Sequence, residues 1–146
     1  MIMDSLLEFA DSQSIAATAS TILSTNVVNL QEARDMGNGQ PLYLVIQIDT
    51  AVVGSSSTIN FRLRSDSTAA IHATTSTSHI ETGAIAEAVL VAGYQVVIPL
   101  PIEGNAYEQY IGVQAIIGTA TTSAGAYSSF LTYDPIGWKA YPDATN

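Results

Sequence analysis

Two histidines, thirteen acidic residues and a Gly-Asn-Gly loop are the groups in this 146-residue chain that could do chemistry. His72 and His79 lie seven positions apart, which on a single strand sends them to opposite faces, so they meet only across a bent hairpin. A metal site needs three or four converging ligands, and polar side chains on a Thr-rich sheet account equally for both histidines. Asp49, Asp66, Glu81, Glu87, Glu103, Glu108 and Asp134 stand singly, with neither EF-hand spacing nor a pair assignable to acid–base work. Lone acids of this kind are mostly solvated turn or edge residues in β proteins. The Gly-x-Ser-x-Gly nucleophile elbow does not occur, and the absence of cysteine removes thiol catalysis, disulfides and zinc-thiolate sites. The sequence therefore predicts a protein that is not an enzyme, with no catalytic, metal or cofactor site.

Gly37-Asn38-Gly39 invites comparison with a phosphate-cradling loop. Such a loop needs a helix after it, whose N-terminal amides face the anion. Here Pro41 and a strand-like alternation follow. Glycine and asparagine tolerate positive φ, so the loop reads as a tight turn feeding the strand from Leu42 to Thr50. Arg34 and Asp35, just before it, either pin that turn as a local ion pair or contact a neighbour.

Charge is sparse and one-sided. Arg34, Arg62, Arg64 and Lys139 are the only cations, and the formal net charge is −9. Nucleic-acid affinity rests on clustered cations that release counterions, so DNA or RNA is not an expected partner. No segment approaches the roughly 18 uncharged apolar residues of a membrane helix, and the N-terminus lacks a basic region followed by an apolar run. A soluble protein made without a signal peptide is expected. With 20 alanines, 15 serines and 15 threonines in a chain that is 47% hydrophobic, little surface is spent on charge. Such a surface is often covered by assembly with partners.

The elements that must position these groups are strands. Leu42, Leu44, Ile46 and Ile48 alternate with Tyr43, Val45, Gln47 and Asp49, and Ile59, Phe61 and Leu63 alternate with Asn60, Arg62 and Arg64. Separated by Gly54-Ser55-Ser56-Ser57, the two runs read as a hairpin or adjacent pair. Further strands are expected over Thr25–Leu30, Tyr94–Pro101, Tyr107–Ile117 and Ala126–Tyr133, with weaker ones in 69–80. Pro99 and Pro101 cannot donate ladder hydrogen bonds, which puts that run at a sheet edge or corner. His79–Gly93 reads as a loop with a helical turn near Ile85–Leu90.

Seven to nine strands in one domain, residues 1–146, predict an all-β fold: an antiparallel β-sandwich of jelly-roll or Greek-key type. Residues 1–17 are expected as an N-terminal arm or short helical turn, and 134–146 as an irregular tail. Candidate protein-contact residues are Leu6, Leu7 and Phe9 in the arm, Arg34, and Trp138 and Tyr141 in the tail. Tyr94, Tyr107, Tyr110, Tyr127, Tyr133, Trp138 and Tyr141 are either a sugar-stacking platform or packing groups.

"LLEFADSQSI", "STNVVNLQEARDMGNGQPLYLVIQID", "AGYQVVIPLP" and "EQYIGVQAIIGTATTSAGAYSSFLTYD" occur in that order. On these stretches the chain resembles the capsid cement, or decoration, proteins of tailed bacteriophages, in particular the small cement protein of short-tailed phages of the Bordetella type. The resemblance implies a jelly-roll protein on the outer surface of the virion, made in the host cytoplasm. Its partners would be the major capsid protein and itself, as a homodimer or trimer bridging neighbouring capsomers and stabilising the head. The competing expectations are a carbohydrate- or receptor-binding β-sandwich of a tail or cell-surface protein, and an acidic β-sandwich hydrolase.

Overall fold

Alternating aliphatic residues need a second apolar face to close against, and here the closure is between two sheets. The computed structural model describes residues 4–33, 36, 40–101 and 107–135. The strands are β1 (Glu8–Ser14), β2 (Thr21–Leu23), β3 (Val28–Asn29), β4 (Tyr43–Gly54), β5 (Thr58–Asp66), β6 (Thr77–Glu81), β7 (Ile85–Ala86), β8 (Gln95–Pro99), β9 (Tyr110–Gly118) and β10 (Thr122–Thr132). One sheet has the order β1-β10-β4-β8; the other runs β2-β9-β5-β6, with β3 added on β9 and β7 on β5. Every pairing is antiparallel. The pairs β1·β10, β2·β9, β4·β8 and β5·β6 are nested, as when one long hairpin is rolled into a barrel-like sandwich. This is a jelly roll.

The expected hairpin between the two alternating runs is overturned. β4 pairs with β10 and β8, whereas β5 pairs with β9, β6 and β7, so Gly54–Ser57 carries the chain from one sheet to the other. Both runs present an aliphatic face to the same core, from opposite sides. Ile46 and Ile48 lie on one wall, Ile59, Phe61 and Leu63 on the other, all buried. Phe61 meets Tyr127 of β10 across the interior, ring centroids 5.1 Å apart.

Three other expectations are refined. Of the Thr25–Leu30 strand only Val28–Asn29, β3, forms, with β2 just ahead of the expected span, and His79–Gly93 contains β7 and a 3-10 turn at Glu87–Val89. Of the expected 1–17 arm, the described part from Asp4 holds a 3-10 turn at Ser5–Leu7 followed by a sheet strand. β8, which ends at Pro99, is an edge strand among the described residues, as Pro99 and Pro101 predict. Leu100 N–H donates to Leu42 and Ile48 N–H to Tyr94, so the alternation of the ladder turns position 99 outward, where a missing N–H breaks no pair.

The outer face of the second sheet is covered around Arg64. Arg64, an outward position, is only 6% exposed. Its Nη1 donates to the carbonyls of His72 and Ala73 and to Ser76 Oγ, while Gln114 Nε2 donates to the Ile71 carbonyl. These bonds fasten the 67–76 loop onto the sheet. Gly112, opposite Arg64, leaves room for Ile71: a Cβ there would lie 2.8 Å from Ile71 Cδ1.

Candidate functional site

The N-terminal turn forms because Asp4 caps it. Asp4 Oδ1 accepts from Leu6 N–H at 2.9 Å and the Asp4 carbonyl from Leu7 N–H at 2.9 Å. The turn leaves Leu6 79% exposed, sets Leu7 half-buried against the core and delivers Phe9 into it with no exposed surface. Opposite it, β3 pairs Val28 with Ile111 and Asn29 with Tyr110 on β9. Leu30 N–H donates to the Gln109 carbonyl, and Asn29 Oδ1 accepts from Gln31 N–H at 2.7 Å, fixing Gln31 at φ +68. Between turn and β3 lies an open groove of about 680 Å³, walled by Leu6, Leu7, Val27, Val28 and Leu30 with Asn29 and Gln31.

Of the residues expected to make protein contacts, Leu6 and Leu7 are thus brought together on one wall. Phe9 is not a surface contact: the alternation of β1 turns it into the sandwich, where it packs in the core. Arg34, Trp138 and Tyr141 lie outside the described residues, as does Gly37-Asn38-Gly39; the segment after that loop is a strand from Tyr43. Val27 and Leu30 were legible only as strand residues. Their role as the second wall needed the turn to be placed beside them.

Gln13 closes a seam between the sheets. Its Nε2 donates to the Leu23 carbonyl and its Oε1 accepts from Thr25 N–H, both at 2.8 Å, so the side-chain amide stands in for a strand's peptide group. Asn26 N–H adds a bond to the Phe9 carbonyl.

The two histidines do not converge on a common partner. His72 Nδ1 accepts from Thr74 within its own turn. His79, on β6, has Nε2 2.7 Å from Ser65 Oγ and stacks on Tyr107 with centroids 4.2 Å apart. Burial lowers the His79 pKa, partly offset by Glu108. The acids hold loops and faces. Asp66 accepts from the backbone N–H of His72 and Thr68, the first of these being the main cause of its lowered pKa. Asp49 accepts from Ser12, Ser128 and Gln47, and Gln95 donates to Gln47, a chain of bonds touching all four strands of the first sheet. Among the described residues no three His or acidic groups are placed to hold a metal ion. No helix among them is long and apolar enough to cross a membrane.

The aromatic platform is also depleted. Tyr107 and Tyr127 are buried at 1% and 0% exposure, which removes both from any ring surface open to a sugar.

None of the curated proteins compared with the chain matches it. The model of the Bbp16 family matches residues 9–131, from the buried Phe9 of β1 to Leu131 of β10, and so covers the jelly roll but for the first residue of β1 and the last of β10. The chain belongs to the family of Bbp16, a protein of a Bordetella phage.

Proposed function

We propose that this protein is a structural component of a tailed-phage virion. It binds the outer surface of the capsid and cements neighbouring major capsid protein subunits, stabilising the head. It acts without catalysis or cofactor, as a small homo-oligomer of two or three copies. The observation that carries this reading is membership of a phage protein's family over the full sandwich. The groove beside the N-terminal turn supports it, because an almost fully exposed leucine beside aliphatic walls is suited to protein contact. Many modest contacts, repeated by the symmetry of a shell, give avidity that no single subunit has. A net charge of −9 suits an outer face better than one turned toward packaged DNA.

Mass spectrometry of purified particles tests the proposal. This protein is expected in intact heads at a ratio near one to one with the major capsid protein, or at a simple fraction set by symmetry. Its absence from intact particles would overturn the reading.

A further inference from the structure

We propose that the groove between the N-terminal turn and Val27–Gln31 seats an apolar segment of another protein that carries lysine or arginine beside its apolar anchors. This rests on the capsid-binding reading above and adds the chemistry of the partner at that surface.

The groove's walls are aliphatic, so its occupant must offer aliphatic or aromatic side chains. Its rim is acidic. Asp4 and Glu8 bracket the turn, Asp11 follows on β1 within electrostatic reach of Glu8, and residues 4–33 contain no lysine or arginine. Burial first, and then the charge of Asp11, raise the Glu8 pKa, so an arriving cation would relieve an existing repulsion. A second copy of this chain is a poor occupant. It brings the same three carboxylates, Asp4, Glu8 and Asp11, and a net charge of −9. Two of its few cations are already engaged, Arg62 at 3.1 Å from Glu81 and Arg64 beneath the 67–76 loop. Charge complementarity therefore points to a different protein, one with basic residues next to its apolar anchors.

The test titrates capsid shells stripped of this protein with wild type, Leu6→Ser and Glu8→Gln/Asp11→Asn, at 50 and 500 mM salt, each variant first confirmed folded by its thermal transition. Leu6→Ser is expected to weaken binding about tenfold at both salts, since it removes one leucine anchor that the complex would bury. The double variant is expected to weaken binding at low salt only and to converge with wild type at high salt, where charge is screened. Wild-type affinity and salt dependence in both variants would overturn the proposal and leave the capsid-binding reading intact. If Leu6→Ser instead changes the protein's own oligomeric state by light scattering while shell binding is unchanged, the occupant is a second copy and the proposal fails. Should wild type not bind shells at all, the capsid reading falls. The groove is then decided by NMR titration with a leucine-rich peptide flanked by lysine pairs and its glutamate-flanked twin. Shifts at Leu6, Leu7, Val28 and Leu30 with the lysine peptide alone sustain the proposal; equal response to both peptides, or none, ends it.

Discussion

Glu87 reaches back thirty residues to Ser57. Its carboxylate accepts from the Ser57 hydroxyl at 2.5 Å and from the backbone N–H groups of Ser57 and Ser56, cradling the loop where the chain crosses between sheets. The Ser57 hydroxyl is the main cause of a Glu87 pKa below its ordinary 4.5. A depressed carboxylate contributes stability that is present above 4.5 and lost as pH falls through the folded-state value. Glu87→Gln is therefore expected to lower Tm at neutral pH, with the gap to wild type narrowing in thermal scans taken progressively below pH 4.5.

Gln13 ties β1 to the β2–β3 connection through both ends of its amide. Gln13→Ala removes two hydrogen bonds and is expected to cost about 1–3 kcal/mol in a denaturant titration with unchanged m-value. Hydrogen exchange at Thr25 should accelerate with it. Protection of that amide equal to wild type would show that the side chain is not the clamp.

Arg64 has a different job from its neighbour Arg62. Three acceptors on the 67–76 segment share its Nη1, and burial lowers its pKa. Arg64→Met keeps the stem and removes the fork, so the loop is expected to detach from the sheet: faster hydrogen exchange and proteolytic cleavage within 67–76, with a loss of roughly 2–4 kcal/mol. Cleavage elsewhere first would refute the assignment.

Two residues of the same N-terminal stretch separate core from surface. Phe9→Ala empties a fully buried site and is expected to cost about 3–5 kcal/mol. Leu6→Ser, at a position 79% exposed, should change stability by no more than about 0.5 kcal/mol. Chemical denaturation of both variants checks the pair.

Tyr127 carries a hydroxyl into the sandwich with no hydrogen-bond partner among the described residues, and burial pushes its pKa up. Tyr127→Phe keeps the ring contact with Phe61 and removes the desolvated oxygen. Denaturant unfolding is expected to show neutral stability or a gain of up to about 1 kcal/mol; a loss above that would reveal a partner for the hydroxyl.

The strands themselves were legible because period-two alternation is a local property. Leu44–Ile48 and Ile59–Leu63 announce their inward faces without reference to anything distant. Which strand pairs with which is not local. The turn-like Gly54–Ser57 fits a hairpin as well as a crossing, and only the competition for β9 and β10, whose partners lie 44 to 89 residues downstream, decides it. Arg64 read as outward, and it is, but a loop that covers an outer face leaves no periodic mark. Phe9 was misjudged as adhesive for a related reason: a short stretch with Leu6, Leu7 and Phe9 matches no clean period, because a 3-10 turn gives way to a strand at Glu8. Half of the groove, Leu6 and Leu7, could be guessed from exposed apolar residues near a chain end; the other half required the register of Val28 on Ile111.

Glu8 pairs with Phe130, so the earliest strand finds its neighbour in the last one. On a ribosome that delivers residues in order, roughly 5–20 per second, β1 waits through the synthesis of almost everything else before its ladder can form. Phe9 has no completed pocket until then. Closure of the jelly roll accordingly waits for β10 and is slow and long-range, and a truncation before β10 would release an unzipped sheet edge rather than a smaller stable domain.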